Sequence, residues 1–344
     1  MNVLFFKRNG SVLHSTNWIF PWVEFCQNHN IKYDFVDLFA VDIVDTLKKY
    51  DVLLWHFSQY DYQEMLEARS ILYTAKKIGL KVFPDFNESW HFDDKVAEMY
   101  ALQAVNAPIP YSKVFYDLGT LKNWVNTSSI QYPLVGKLRT GSGSHNVKLL
   151  RTEKELIKYA KHMLNRGYNP APSLLYKASS NIRSSHNWQT FKSKFKRIPE
   201  FLQVLRNAKK FPNEKGYVYL QEFIPNDNFD MKVVVVGNKL SGLIRPVRSH
   251  DFRASGGGEV FYDKSFFSKE LINSAFNVAD ALGVQCIGFD YVIDKRTGKG
   301  LIVEMSYGFS HTAVMGLNGY FDRNGDWHDG PLNAPEEILK NMLI

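Results

Sequence analysis

Gly288-Phe289-Asp290-Tyr291-Val292 and Leu301-Ile302-Val303-Glu304-Met305 are two apolar runs, each interrupted by one carboxylate, joined through Asp294-Lys295-Arg296-Thr297-Gly298-Lys299. Short β-branched and aromatic runs on either side of a Gly-containing turn predict a β-hairpin. A hairpin centred on Thr297 sets Asp290 directly opposite Glu304. Facing side chains of an antiparallel pair lie about 4.5–5.5 Å apart, and like charges there are destabilising unless something positive sits between them. Two acidic residues on a solvated sheet face is the plainer alternative, and the apolar flanks on both strands count against it. A carboxylate pair with few other protein ligands suits Mg²⁺, with Mn²⁺ as the alternative ion, because Mg²⁺ keeps its remaining positions for water and substrate phosphate.

Upstream of the hairpin the chain reads as β over 217–224, 229–236 and 239–247, with a helix at 269–283. Asp230 and Lys232 share one face of their strand, since alternate residues point the same way, and Arg245, Arg248 and Arg253 follow on the next strand and its exit. Lys137 closes the apolar run Leu134–Leu138 just before Gly141-Ser142-Gly143-Ser144. Adjacent backbone N–H groups of such a loop can close over phosphate oxygens. The loop alone is weak, since most such loops are simple turns, but loop, lysines, arginines and paired carboxylates together suit a polyphosphate. The chain contains no G-x-x-x-x-G-K-[ST], which disfavours a P-loop enzyme.

The first 86 residues alternate strand and helix signals, predicting a small parallel sheet with helices on its faces. No G-x-G-x-x-G follows the first strand, so a dinucleotide is not expected there, and this domain is expected to support or shape a substrate site. The expected organisation is an α/β domain over 1–86, a central α+β unit with the Gly loop over 87–170, a basic insertion over 171–216, and an antiparallel-sheet domain with the metal site over 217–344. The 344 residues are 45% hydrophobic and 15% aromatic, which excludes a disordered chain. The net charge of +7 is local: Lys177 to Lys215 holds ten basic and two acidic side chains, leaving 32 basic and 33 acidic elsewhere. A nucleic-acid-binding protein therefore rests on that segment alone. No apolar run approaches the roughly 20 residues of a membrane span, the N-terminus reads as a strand rather than a signal peptide, and a cytoplasmic location is the default. Cys26 and Cys286, far apart in sequence, read as buried reduced thiols.

In order, Asn87 with Asp94-Lys95, Ala107-Pro108-Ile109-Pro110, Pro133-Leu134-Val135-Gly136-Lys137 with its Gly loop, Gln221-Glu222-Phe223-Ile224, Phe229-Asp230-Met231-Lys232, Val236-Gly237, Arg245, Asp251-Phe252-Arg253, Gly288-Phe289-Asp290 and Val303-Glu304-Met305-Ser306 resemble the ATP-grasp superfamily. The likeness is to its branch of ribosomal-protein glutamate ligases, over about two thirds of the chain. The resemblance implies an ATP-grasp fold of α/β and α+β parts: an N-terminal parallel-sheet domain, a central lid and a C-terminal antiparallel-sheet domain. It implies that Lys95, Lys137 and the loop at Gly141, Ser142 and Gly143 contact ATP phosphates, that Glu222, Phe223 and Ile224 hold adenine, and that Asp230 binds the ribose or an adjacent group. Lys232 stands near the phosphates where the related ligases usually have Arg, which keeps the charge but loses the bidentate fork. Arg245 and Arg253 would face the transferring phosphoryl group. Asp290 and Glu304 would hold the metal, with Ser306 in the place where the family usually has Asn.

The expected activity is an ATP-dependent carboxylate–amine ligase working through an acyl phosphate, with a sugar acid, peptide or acidic polymer as the acid. A noncatalytic ATP-binding protein with a basic docking segment and an ATP-grasp kinase are the alternatives. A ring or dimer would be ordinary for this superfamily. His311 reads as a surface or packed histidine rather than a site residue, and Trp18, Trp22, Trp55 and Trp90 as core aromatics rather than a sugar platform.

Overall fold

A computed structural model of the chain describes residues 2–7, 17–141, 147–170, 212–247 and 260–343. The first domain runs β1 (Asn2–Phe6), α1 (Ile19–Asn28), β2 (Lys32–Val36), α2 (Ile43–Leu47), β3 (Val52–Leu54), α3 (Tyr62–Lys77) and β4 (Lys81–Phe83). Its four strands are parallel in the order β2-β1-β3-β4. Parallel strands need crossovers, which the helices supply. α3 starts where Asp61 accepts from the backbone N–H groups of Gln63 and Glu64, at 2.9 and 3.3 Å.

The short helix α4 (Phe86–Ser89) leads to α5 (Lys95–Ala104), β5 (Ser112–Phe115), α6 (Leu118–Thr127), β6 (Leu134–Lys137), β7 (Val147–Leu150), α7 (Glu153–Asn165) and β8 (Val218–Glu222). The four strands form an antiparallel sheet in the order β5-β8-β6-β7. The expected boundary at 217 gave Val218–Glu222 to the C-terminal domain. β8 instead pairs with β5 and β6, in the middle of this second sheet. Its burial on both faces (Val218, Tyr219, Leu220 and Gln221 are all buried) reads from sequence like any core strand, so it carries no sign of which sheet takes it.

The third sheet holds β9 (Phe229–Val236), β10 (Lys239–Pro246), β11 (Cys286–Ile293), β12 (Gly300–Ser306), β13 (Gly319–Phe321) and β14 (Trp327–Asp329), in the order β12-β11-β9-β10-β13-β14. One face packs Met231, Val233, Val235, Phe289, Tyr291, Ile302 and Met305 against α8 (Lys269–Leu282). Each such side chain contributes about 1.5–3 kcal/mol by leaving water. α8 stops at Gly283, whose φ of 66° is open to glycine without strain. The other face places Val234, Val236 and Cys286 in one core with the first domain, alongside Tyr307, Phe309 and the C-terminal helix α10 (Ala334–Leu343), which follows the four-residue helix α9 (His311–Val314). Cys26 and Cys286 are both free and buried.

Trp18, Trp22 and Trp55 lie in that core, whereas Trp90 is 36% exposed. Nearby, His91 is fully buried and His56 stacks on Trp18 at 4.5 Å. Burial pushes His91 down to about 4, and burial with His311 alongside pushes His56 down to about 3. Both rings are neutral in the folded protein, while the unfolded chain takes up their protons near pH ~6.5. Their contribution to stability is complete above that pH and is lost as pH falls toward the folded values. Relative to His91→Gln, the wild type is expected to lose melting temperature as the pH falls from about 7 to 5. An equally steep profile in that variant would remove His91 from the account.

Candidate active site

The β11–β12 ladder pairs Asp290 with Glu304, as the hairpin reading expects. The ladder is not regular: the register shifts between Asp290 and Tyr291, so Tyr291 faces Ile302 and Val303 is the extra residue. A bulge of this kind re-aims backbone groups, and the Val303 carbonyl accepts from Lys137 Nζ of the second sheet at 3.1 Å.

On β9, next to β11, Lys232 faces Asp290, and on β10 Arg245 faces Asp230. Lys232 Nζ forms an ion pair with Asp290 Oδ1, and Arg245 NH2 lies 2.8 Å from Asp290 Oδ2. Arg245 also grips Asp230 with two bonds, Nε to Oδ1 at 2.8 Å and NH2 to Oδ2 at 2.5 Å. Burial works against the Asp290 charge, but Arg245 and Lys232 overcome it and hold the carboxyl down at about 2. Burial likewise opposes the Arg245 charge, and Asp290 and Asp230 hold it well above the usual arginine range. Asp230 is 0% exposed. Both its oxygens serve Arg245, so here it orients the guanidinium and is not presented to a ribose.

The second sheet and α5 bring the opposing wall. Lys95 opens α5, where Asp94 caps the helix by accepting from the Val96 and Ala97 N–H groups. Lys95 Nζ donates to the Gly141 carbonyl at 2.7 Å and lies 3.4 Å from Glu304 Oε1. Burial disfavours its charge, yet Glu304, Glu98 and Asp93 keep it above the usual lysine range. Lys137 also has carboxylates around it but bonds directly to a carbonyl: burial pushes it down to about 8, Glu304 draws it partly back, and the Lys95 charge opposes that. Asp93 and Glu98 are the residues sequence reading missed. Asp93 Oδ1 accepts from Gly141 N at 3.1 Å and Glu98 Oε2 from Met305 N at 3.2 Å. Burial raises both carboxyls, Asp93 to about 7 and Glu98 well above its ordinary value.

Glu222 ends β8 and Ile224 is buried just beyond it, on the connector that leads to the third sheet. The β11–β12 turn pins this connector, with Arg296 NH1 2.8 Å from Glu222 Oε1 and Lys295 N donating to the Pro225 carbonyl at 2.9 Å. Phe223 is half-buried between them. Ser306 shares the Glu304 strand face, and its Oγ accepts from Gly308 N at 2.9 Å within its own turn. His311 is 4% exposed, against the Trp18 edge. Ser142, Gly143, Arg248, Arg253 and nearly all of the basic insertion lie outside the described residues.

Lys95, Lys137, Lys232 and Arg245 thus converge on Asp290 and Glu304 where the second and third sheets meet. Among the described residues no group of three or more His, Cys, Asp or Glu is placed to hold a metal. Asp290 and Glu304 would offer two hard carboxylates, a donor set that suits Mg²⁺ completed by phosphate oxygens and water rather than a closed protein cage.

Residues 201–314 match the family of the RimK-like ATP-grasp domain. A comparison with curated protein sequences gives no match. Among solved structures, the RimK domain ATP-grasp protein from Sphaerobacter thermophilus is 14% identical, with 100% of each chain covered and a TM-score of 0.54. D-alanine–D-alanine ligase from Bacillus anthracis, in complex with ATP, is 12% identical over 100% of this chain and 96% of that one, with a TM-score of 0.54. The biotin carboxylase domain of 2-oxoglutarate carboxylase from Hydrogenobacter thermophilus, in complex with MgADP and bicarbonate, is 12% identical, covering 99% of this chain and 69% of that one at a TM-score of 0.58. The parallel first sheet and two antiparallel sheets are the ATP-grasp fold.

Proposed function

We propose that this ATP-grasp chain is an ATP-dependent ligase that joins a carboxylate to an amine through an acyl phosphate. The observation that supports it most is the meeting of four cations from two sheets on one cross-strand carboxylate pair. Lys95 and Lys137 would hold the ATP phosphates, with Glu222, Phe223 and Ile224 against adenine. Asp290 and Glu304 would hold Mg²⁺, which when bound neutralises phosphate charge and polarises the phosphoryl oxygens.

In the first step a carboxylate oxygen of the acid attacks the γ-phosphorus, the bond to the β-phosphate oxygen breaks, and ADP leaves. In the second the amine nitrogen attacks the acyl carbon, phosphate leaves with the carbon–oxygen bond's electron pair, and the nitrogen loses a proton. Arg245, held in place by Asp230, faces the transferring group and neutralises charge that grows on it. The wall of Lys95, Lys137 and Gly141 excludes water from an intermediate that water would hydrolyse. No side chain needs to become a covalent nucleophile.

We place the enzyme in the cytoplasm, where ATP is available; among the described residues no helix is long and apolar enough to cross a membrane. The test is release of ADP and phosphate with Mg²⁺ and ATP across pools of carboxylates and amines. Release that needs both substrates and fails in Glu304→Gln supports the ligase. ADP formed with one acceptor and no free phosphate would replace it with a kinase. Bound ATP that no pool converts would favour the noncatalytic reading.

A further inference from the structure

We infer that Glu214 is a positioning residue that sets the path of the chain from Lys137 through the turn 139–141, an inference that rests on the reading of Lys137 and residues 139–141 as phosphate contacts given above. Its carboxylate accepts from Arg139 N at 2.7 Å through Oε2 and from Thr140 N at 3.0 Å through Oε1. It also accepts from Thr140 Oγ1 and from the Tyr217 hydroxyl, whose oxygen in turn accepts from Arg139 N at 2.6 Å. One carboxylate therefore gathers two consecutive backbone N–H groups and two hydroxyls at the root of the loop. Charge-assisted bonds of this kind are shorter and about twice as strong as neutral ones.

The other side of the same turn is held by residues already placed at the site. Lys95 N donates to the Arg139 carbonyl at 2.9 Å, and Asp93 and Lys95 take the N–H and the carbonyl of Gly141. The turn is thus clamped from both sides: Lys95 and Asp93 work from α5 and its approach, Glu214 from the strand-side return of the chain.

Glu214 is itself fixed from behind. Its backbone exchanges two hydrogen bonds with Tyr168, at 3.0 and 2.9 Å. Gly167, at φ 68°, lies so close that a Cβ there would meet the Glu214 carbonyl oxygen at 2.1 Å. This rigid backing is what a positioning residue requires, since a side chain can hold a loop only as firmly as its own backbone is held.

Glutamine has nearly the same shape but one acceptor oxygen, so its amide NH₂ must face either the Thr140 donors or the Arg139 and Tyr217 donors. Glu214→Gln is expected to weaken MgATP binding about tenfold, the size of one lost charge-assisted hydrogen bond, while AMP, which lacks the β- and γ-phosphates, changes less than about twofold. A purely structural role would weaken both nucleotides together. Lys137→Ala is the control for the underlying reading and should also lose MgATP selectively. If Lys137→Ala loses it and Glu214→Gln does not, or if Glu214→Gln loses MgATP and AMP alike, the inference is overturned while the phosphate site stands. If neither variant distinguishes MgATP from AMP, the phosphate reading falls and the inference with it. Should Glu214→Gln not fold, Thr140→Val removes one donor without touching the charge; it is expected to weaken MgATP about threefold, and unchanged binding there would overturn the inference.

Discussion

Glu304→Gln is expected to lower ATP turnover by about a thousandfold or more, and to remove the Mg²⁺ dependence of nucleotide binding, with the fold retained. Glutamine fills the same space on β12, so the ladder with Asp290 has no reason to move. What goes is one of the two charges that make the pair a cation site. Asp290→Asn is the less clean variant, because Asp290 pairs closely with both Lys232 and Arg245, whereas Glu304 pairs with Lys95 at 3.4 Å and Lys95 keeps Glu98 and Asp93 nearby. A Glu304→Gln enzyme within tenfold of wild type, with its Mg²⁺ requirement intact, would mean that the carboxylate pair is structural.

Asp230→Ala is expected to be the most destabilising single change in the site. Asp230 is 0% exposed and both its oxygens are bonded to Arg245. Removing one partner of a buried ion pair costs about 3–5 kcal/mol, because the other charge stays buried with less compensation. Arg245 keeps Asp290, so the lower end applies. At about 2–4 °C per kcal/mol for a chain unit of this size, the melting temperature should drop by about 6–12 °C. Asp230→Asn keeps one acceptor and should fall less. A variant melting within a degree of wild type would show that Arg245 is held by Asp290 alone. The same variant separates orientation from ligand contact: an Asp230 that touched ribose would weaken AMP as much as ATP, whereas one that orients Arg245 should leave AMP almost unchanged.

The order of elements was legible because its signals are local. Strand and helix alternation in the first 86 residues predicts a parallel sheet, and the N-terminal strands pair that way. The carboxylate pair was legible because a hairpin turns sequence spacing into spatial contact. Its pairing holds although the bulge at Val303 puts the rungs nearer the turn one residue out of the symmetric register. The same reckoning about the Gly237-Asn238 turn would have set Asp230 opposite Arg245, as the ladder has it. The resemblance drew Asp230 toward a ribose because a motif match carries residue type and not the identity of the cross-strand neighbour.

Outside the hairpins, residues that no motif named were not legible, although the resemblance did pick out Lys95 at the start of α5. Glu98 lies in the first turn of α5, where an acidic side chain reads as an ordinary partner of the helix dipole. Only the docking of α5 on β12 shows that its carboxylate meets the Met305 N–H. Glu214 sits in a stretch where basic residues outnumber acidic ones five to one, and its charge reads as incidental there. Its role comes from long-range contacts to Arg139 and Thr140, about 75 residues away, and no local pattern encodes these. The placement of β8 was lost for the same reason, since strand pairing across a long segment leaves no periodic trace.

The most direct test of the account is an experimental structure of the protein with Mg²⁺ and a nonhydrolysable ATP analogue. The account predicts one metal shared by Asp290 and Glu304, phosphates on Lys95 and Lys137, adenine against Glu222, Phe223 and Ile224, and Arg245 still gripped by Asp230 while its contact with Asp290 gives way. A nucleotide seated elsewhere, or Asp290 keeping both Lys232 and Arg245 with no metal beside it, would contradict the proposed site and the chemistry drawn from it.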